Sequence, residues 1–238
     1  SGDLEADLAL SRFDLNRLSG LVGVELGGQA SMRGRVSGPL ADLQPDLALE
    51  IDHPRVAAVR LPEQWNGRLN GTLRSALSLN LATVNPSLPA RLKATLAPGT
   101  QSGSLRLDRQ DGSLTMRGTS GMVRWQASQF PLDGLQVQSQ ASTRFDPVVG
   151  ALTGAGSLAL DPLSLDGSVR LEAPSYRGIR VAEIEAKAGL RNNRFQLSGL
   201  LTPDTEDDSS VSVELTGQPG GALQGVLAAR ALDLPWLL

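Results

Sequence analysis

The side chains in this chain that could do chemistry are few, and their spacing does not bring them together. The one histidine, His53, stands directly before Pro54. Imidazole is the usual general base and metal ligand near neutral pH. A zinc site, however, draws on several His or Cys ligands, and the chain has no second histidine and no cysteine. Beside Pro54, His53 reads as a turn residue at a strand end. Without cysteine, disulfides and thiolate catalysis are excluded as well. Ser and Asp are plentiful, yet the Gly-x-Ser-x-Gly of a nucleophile elbow occurs nowhere.

Two glycine-dense stretches, 150–156 and 217–221, resemble phosphate-cradling loops in composition only. Neither ends in Gly-Lys-Ser/Thr and neither leads into a helical pattern. The run Asp204-Thr205-Glu206-Asp207-Asp208 offers carboxylates to a calcium ion but lacks the glycine turn and ligand spacing of a calcium loop, so it reads as a solvated hairpin loop. The remaining acidic residues, Asp42, Asp46, Asp108, Asp111, Asp133, Asp161 and Asp166 among them, fall mostly in turns. A pair of carboxylates for sugar hydrolysis would need a cleft and stacking aromatics. Aromatic residues make up only 3% of the chain. The expectation is a protein that is not an enzyme and uses no cofactor and no metal.

What the chain has in abundance is an alternation of period two. It runs through Leu47, Leu49 and Ile51; Leu69, Gly71 and Leu73; Leu77, Leu79 and Leu81; and Leu92, Ala94 and Leu96. It continues through Leu105 and Leu107; Leu114 and Met116; Val123 and Trp125; Leu158 and Leu160; Val169 and Leu171; Leu197; and Val211, Val213 and Leu215. Successive side chains of a strand point to opposite faces, so this period predicts a sheet with one apolar and one polar face. A net charge of −3 supplies no basic stripe, which argues against nucleic acid and acidic headgroups. No run of about 18 apolar residues is present to form a spanning helix.

Turn residues punctuate the alternation at Ser37-Gly38-Pro39, Leu61-Pro62-Glu63, Val84-Asn85-Pro86, Ala97-Pro98-Gly99, Asp146-Pro147 and Asp161-Pro162. Asp111-Gly112, between the runs 105–109 and 113–118, is the strongest hairpin signal. Only residues 13–22 break the beat: apolar positions at Leu15, Leu18 and Leu21 predict a short helical segment, with Asp14 as its cap. Glycines in phase with strands (Gly34, Gly67, Gly71, Gly118, Gly154, Gly156) predict sharp bends or close sheet approach. The segment around Phe130-Pro131-Leu132 leaves the inward face of 121–140 open. The whole of 1–238 reads as one continuous β-segment. Starting at Ser1 without Met, it reads as a piece of a longer protein. Arg230-Ala231-Leu232-Asp233-Leu234 echoes Arg12-Phe13-Asp14-Leu15, so 226–238 is the expected start of a next repeat.

An apolar face built from Leu, Val and Ala with few rings leaves room beside it. Each CH₂ removed from water contributes on the order of 0.8 kcal/mol, enough to hold an acyl chain. The run 12–20, the glycine-spaced strand Gly27-Gly28-Gln29-Ala30-Ser31-Met32-Arg33-Gly34 and the turn Ser37-Gly38-Pro39-Leu40 into Leu43-Gln44-Pro45-Asp46-Leu47 resemble the recurring pattern of the TamB and wider AsmA-like family. The resemblance implies an all-β fold, a long curved sheet rolled into a taco-like groove or β-solenoid with an apolar interior. It implies a periplasmic segment of an envelope-spanning protein of a diderm bacterium, anchored in the inner membrane when complete. It further implies a phospholipid or other acyl-chain ligand carried between membranes, support of outer-membrane protein assembly, and an Omp85-family barrel as partner of the full-length protein. Two other fates of the same alternation stay open: sheet edges that capture β-strands of client proteins, and a closed structural or adhesin-like solenoid with no ligand.

Overall fold

A computed structural model describes residues 3–22, 24–85, 87–138, 144–204, 209–218 and 221–230. The fold is all-β, 76% strand and 4% helical. In chain order the strands are β1 (Asp3–Asp14), β2 (Leu26–Pro39), β3 (Gln44–Val56), β4 (Val59–Arg60), β5 (Gln64–Gly71), β6 (Leu77–Thr83), β7 (Ala90–Ala97), β8 (Ser102–Arg109) and β9 (Gly112–Thr119). They continue as β10 (Met122–Pro131), β11 (Gln136–Gln138), β12 (Phe145–Leu160), β13 (Leu163–Tyr176), β14 (Ile179–Arg191), β15 (Arg194–Pro203), β16 (Ser210–Gly217) and β17 (Leu223–Arg230). The chain divides into two compact units: Ser1–Ser120 with Gly134–Pro147, and Gly121–Asp133 with Val148–Leu238. Residues 205–208 of the acidic run and 231–238 of the terminal echo lie outside the described residues.

In the first unit β1–β2–β3–β5–β6–β7–β8–β9 form an antiparallel meander, with β4 extending β3. In the second, β10–β12–β13–β14–β15–β16–β17 do the same. The short helical segment is where the broken alternation places it, as a 3₁₀ turn at Leu15–Leu18 running into a single α-turn, Ser19–Val22. The Asp14 carboxylate accepts the Asn16 N–H at 2.9 Å, an Asx cap that satisfies one orphan donor of the turn.

The all-β architecture expected from the alternation is present, and within the first unit the short strand β11 has two partners. It pairs with β4 through Gln136↔Arg60 and Val137↔Val59, and with the first residues of β12 through Gln136↔Pro147. A short strand with two partners takes up edge groups that an open trough leaves unpaired. Alternation has the same period in open and closed sheets, so the sequence pattern did not distinguish them.

Left-handed residues bend the strands. Arg12 in β1 and His53 in β3 have positive φ, and the strand register shifts beside Arg12, a bulge geometry that sharpens twist. His53 is therefore an exposed residue inside β3, its N–H donating to the Glu63 carbonyl at 3.3 Å, and not a turn at the strand end. The Asp111-Gly112 hairpin forms, but with Gln110 and Asp111 as loop residues and Gly112 already paired to Arg109. A second two-residue hairpin, Asn192-Asn193, has φ values of +50° and +59°; asparagine tolerates this region, which type I′ turns require.

Gly67 shows why in-phase glycines matter. A Cβ there would sit 1.8 Å from the Asn80 carbonyl oxygen and 2.8 Å from Leu81 Cα, both backbone atoms of the paired strand β6. Gly67→Ala is therefore expected to push β5 from β6 and to destabilise by at least the 1–3 kcal/mol or so typical of overpacking, read as a lower denaturation midpoint.

Candidate functional site

The strand registers place the alternating residues on shared rows. In the first unit, one row runs Leu47–Leu69–Leu79–Ala94–Leu105–Met116 across β3 to β9. The next runs Leu49–Gly67–Leu81–Leu92–Leu107–Leu114. Charges take the other face, where Arg106 donates to Asp108 at 2.8 Å and Arg68 stands 3.5 Å from Asp46. That hydrogen bond, with the carboxylate's charge, raises the Arg106 pKa above its ordinary value. Such exposed pairs contribute little to stability; their importance here is that they mark the wet face.

Burial along the apolar face of this unit changes from one end to the other. Toward the hairpin ends that follow β5, β7 and β9, Leu73, Leu96 and Met116 are exposed (45%, 53% and 38%). Leu69, Leu79 and Leu105 in the first row are half-buried, although Leu47 is buried. In the second row Leu81 and Leu107 are buried. At the far end lies a third row, Ile51–Trp65–Thr83 on β3, β5 and β6 and Ala90–Arg109–Gly112 on β7, β8 and β9. Thr83 joins its two halves by accepting the Ala90 N–H at 2.9 Å. Trp65, Ala90 and Arg109 are almost wholly sealed.

This third row is polar as well as buried. The Arg109 guanidinium donates to Glu63 Oε1 at 2.8 Å, with side-chain exposures of 2% and 3%. Gly134 leaves the pair its space: a Cβ there would lie 2.9 Å from Arg109 Nη2 and 3.0 Å from Leu88 Cδ1. Sequence reasoning missed Glu63, Arg109 and the buried Leu135, which follows Gly134 in the chain. A signal was present. Arg109 is two residues past Leu107 and four past Leu105, so in β5–β9 it is the one charged residue in phase with the leucines.

In the second unit the rows are Val123–Leu158–Leu165–Leu190–Phe195, Trp125–Gly156–Gly167–Ala188–Leu197–Leu215 and Ala127–Gly154–Val169–Ala186–Gly199–Val213. A fourth carries Leu152–Leu171–Ile184–Leu201–Val211. Over Met122–Pro131 the open question of the inward face is answered by β10: Val123, Trp125 and Ala127 share the apolar face, and a register shift between Ala127 and Phe130 precedes the buried Phe130. Trp125 explains three glycines. Cβ atoms added at Gly156, Gly154 and Gly167 would stand 2.5, 3.2 and 3.6 Å from its indole ring. The ring lies over this glycine strip. Gly156→Val is expected to displace it and to cost roughly 1–3 kcal/mol, with a change in tryptophan emission as the second readout.

Every expected groove residue thus lies on a described strand face except Leu73, which sits in the β5–β6 connection. Leu160 is exposed (56%) at the β12–β13 hairpin, and Leu227, following Val213 on β17, is exposed as well. Among the described residues no three His, Cys, Asp or Glu side chains converge to hold a metal ion. No described helix is long and apolar enough to cross a membrane.

Fold and face together define a class, an all-β protein in which each unit carries rows of apolar side chains across its strands. Comparison with family models, curated proteins and solved structures returns no match.

Proposed function

We propose that the apolar sheet face binds the acyl chain of a phospholipid or similar lipid, and that the chain is a non-enzymatic, periplasmic segment of a TamB-like, inner-membrane-anchored protein. In that reading it moves or shields lipid between the two membranes of a diderm envelope, and supports outer-membrane protein assembly through an Omp85-family partner of the full-length protein. The observation that carries the reading is the partial exposure of the leucine rows. Among the described residues only ten apolar side chains are buried. A sheet whose apolar face is left this open gains by covering it with hydrocarbon.

Native mass spectrometry of the purified chain tests this. Co-purified phospholipid, and uptake of a fluorescent fatty acid by delipidated protein, are the expected results; protein that neither carries nor takes up lipid would falsify the proposal. The two-sided pairing of β11 favours a second reading, a ligand-free structural solenoid, and the same experiment separates the two.

A further inference from the structure

We infer that the polar side of β5–β9 docks the first unit on an anionic bilayer surface. This is the side opposite the leucine rows, and its role is independent of acyl-chain binding there. Alternation fixes which side chains share it: those out of phase with the leucines. The charged residues among them are Arg68 on β5, Arg91 and Lys93 on β7, Arg106 and Asp108 on β8 and Arg117 on β9, five cations and one carboxylate. All five cations are exposed. The register sets Arg91 opposite Asp108 and Lys93 opposite Arg106. Like charges directly opposite one another destabilise a sheet. Arg68 stands 3.5 Å from Asp46 of β3, and Arg106 holds Asp108 at 2.8 Å. Arg91, Lys93 and Arg117 have no ion pair among the described residues. Their counter-charge has to come from a partner.

The surroundings of the cations define that partner. Strands lie about 4.8 Å apart, so β5 to β9 spreads the charges over about 19 Å. Between the cations, this side of β6–β9 holds only Ser, Thr, Asn and Ala apart from Asp108. The guanidinium and ammonium groups are thus its longest side chains, and none other stands up to wall a groove. No aromatic ring lies on this side for bases to stack on, the usual device for holding single-stranded nucleic acid. The complementary surface is a broad plane of negative charge: a leaflet containing anionic phospholipid, which attracts each Lys or Arg brought near it. The second unit lacks such an excess, since Arg170 there donates to Glu183 at 2.6 Å and Arg191 to Asp166 at 3.2 Å. A net charge of −3 argued against acidic headgroups. That sum runs over both sides of every strand, whereas a docking surface meets only one.

Sedimentation of the whole chain with vesicles tests this, using phosphatidylcholine alone and phosphatidylcholine with about one-third phosphatidylglycerol. At low salt the chain is expected to bind the anionic vesicles about a hundredfold more tightly than the neutral ones. Raising the salt to about 0.5 M should remove most of that difference. Arg91→Gln/Lys93→Gln/Arg117→Gln removes three cations that hold no carboxylate, so no acid is left unpaired. It should weaken binding to anionic vesicles about a hundredfold, at roughly fivefold per charge, with the parent's circular dichroism and fatty acid uptake. Arg124→Gln/Lys187→Gln/Arg194→Gln removes the same charge from the second unit and should change binding by less than about threefold, because screening confines the attraction to nearby charges. No preference between the vesicle types, or equal losses in the two variants, overturns the inference while acyl-chain binding stands. Retention on heparin beads without binding to anionic vesicles overturns it too, and assigns this side to a soluble polyanion.

Discussion

Arg109→Leu lowers the stability of the chain by about 3–5 kcal/mol, the largest loss expected from any single substitution in the first unit. The reason is the carboxylate left behind. Glu63 is sealed at 3% side-chain exposure and holds the guanidinium at 2.8 Å. Removing the cation strands a negative charge where water cannot reach it, and the full desolvation cost of that charge then falls on the folded state. Glu63→Leu does the same to Arg109. The double variant Glu63→Leu/Arg109→Leu is expected to regain most of the loss, because well-packed hydrocarbon in place of a buried pair is often neutral or stabilising. Urea denaturation followed by circular dichroism measures all three. Additive losses in the double variant would show that the two residues act separately.

Leu79→Arg abolishes lipid uptake with little loss of fold. Leu79 lies mid-row between Leu69 and Ala94 and is only half-buried, so a long side chain can carry its charge out to solvent. The guanidinium then lies where an acyl chain would run. Hydrocarbon laid against it strips its water, and the contact changes from favourable to strongly unfavourable. A drop in fluorescent fatty acid binding of about a hundredfold or more is expected, equivalent to losing three or four buried methylenes. The variant's denaturation midpoint should stay close to the parent's. Leu107→Asp, placed in the buried second row, should instead lose stability and binding together. That contrast separates loss of the ligand surface from loss of the protein. Unchanged uptake in Leu79→Arg would remove the leucine rows from any account of the ligand.

The period-two positions of this chain were sufficient to determine its strands, the shared apolar face and the helical break at Asp14. Those features depend on local sterics and on the alternation of side chains, which every residue carries with it. Leu47, Leu69, Leu79 and Leu105 fall on one row as that pattern requires. Three things were decided only by tertiary structure. The pairing of β11, three residues long, depends on its finding β4 on one side and the start of β12 on the other; its own sequence, Gln-Val-Gln, carries no preference for either. The sealing of one end depends on Glu63 meeting Arg109 across forty-six residues of sequence, a pairing that no local pattern encodes. The glycines at 154, 156 and 167 look like generic bend points until Trp125 is seen lying over them. In each case the deciding contact is between segments far apart in the chain. Its energy exists only once the strands have been brought into register.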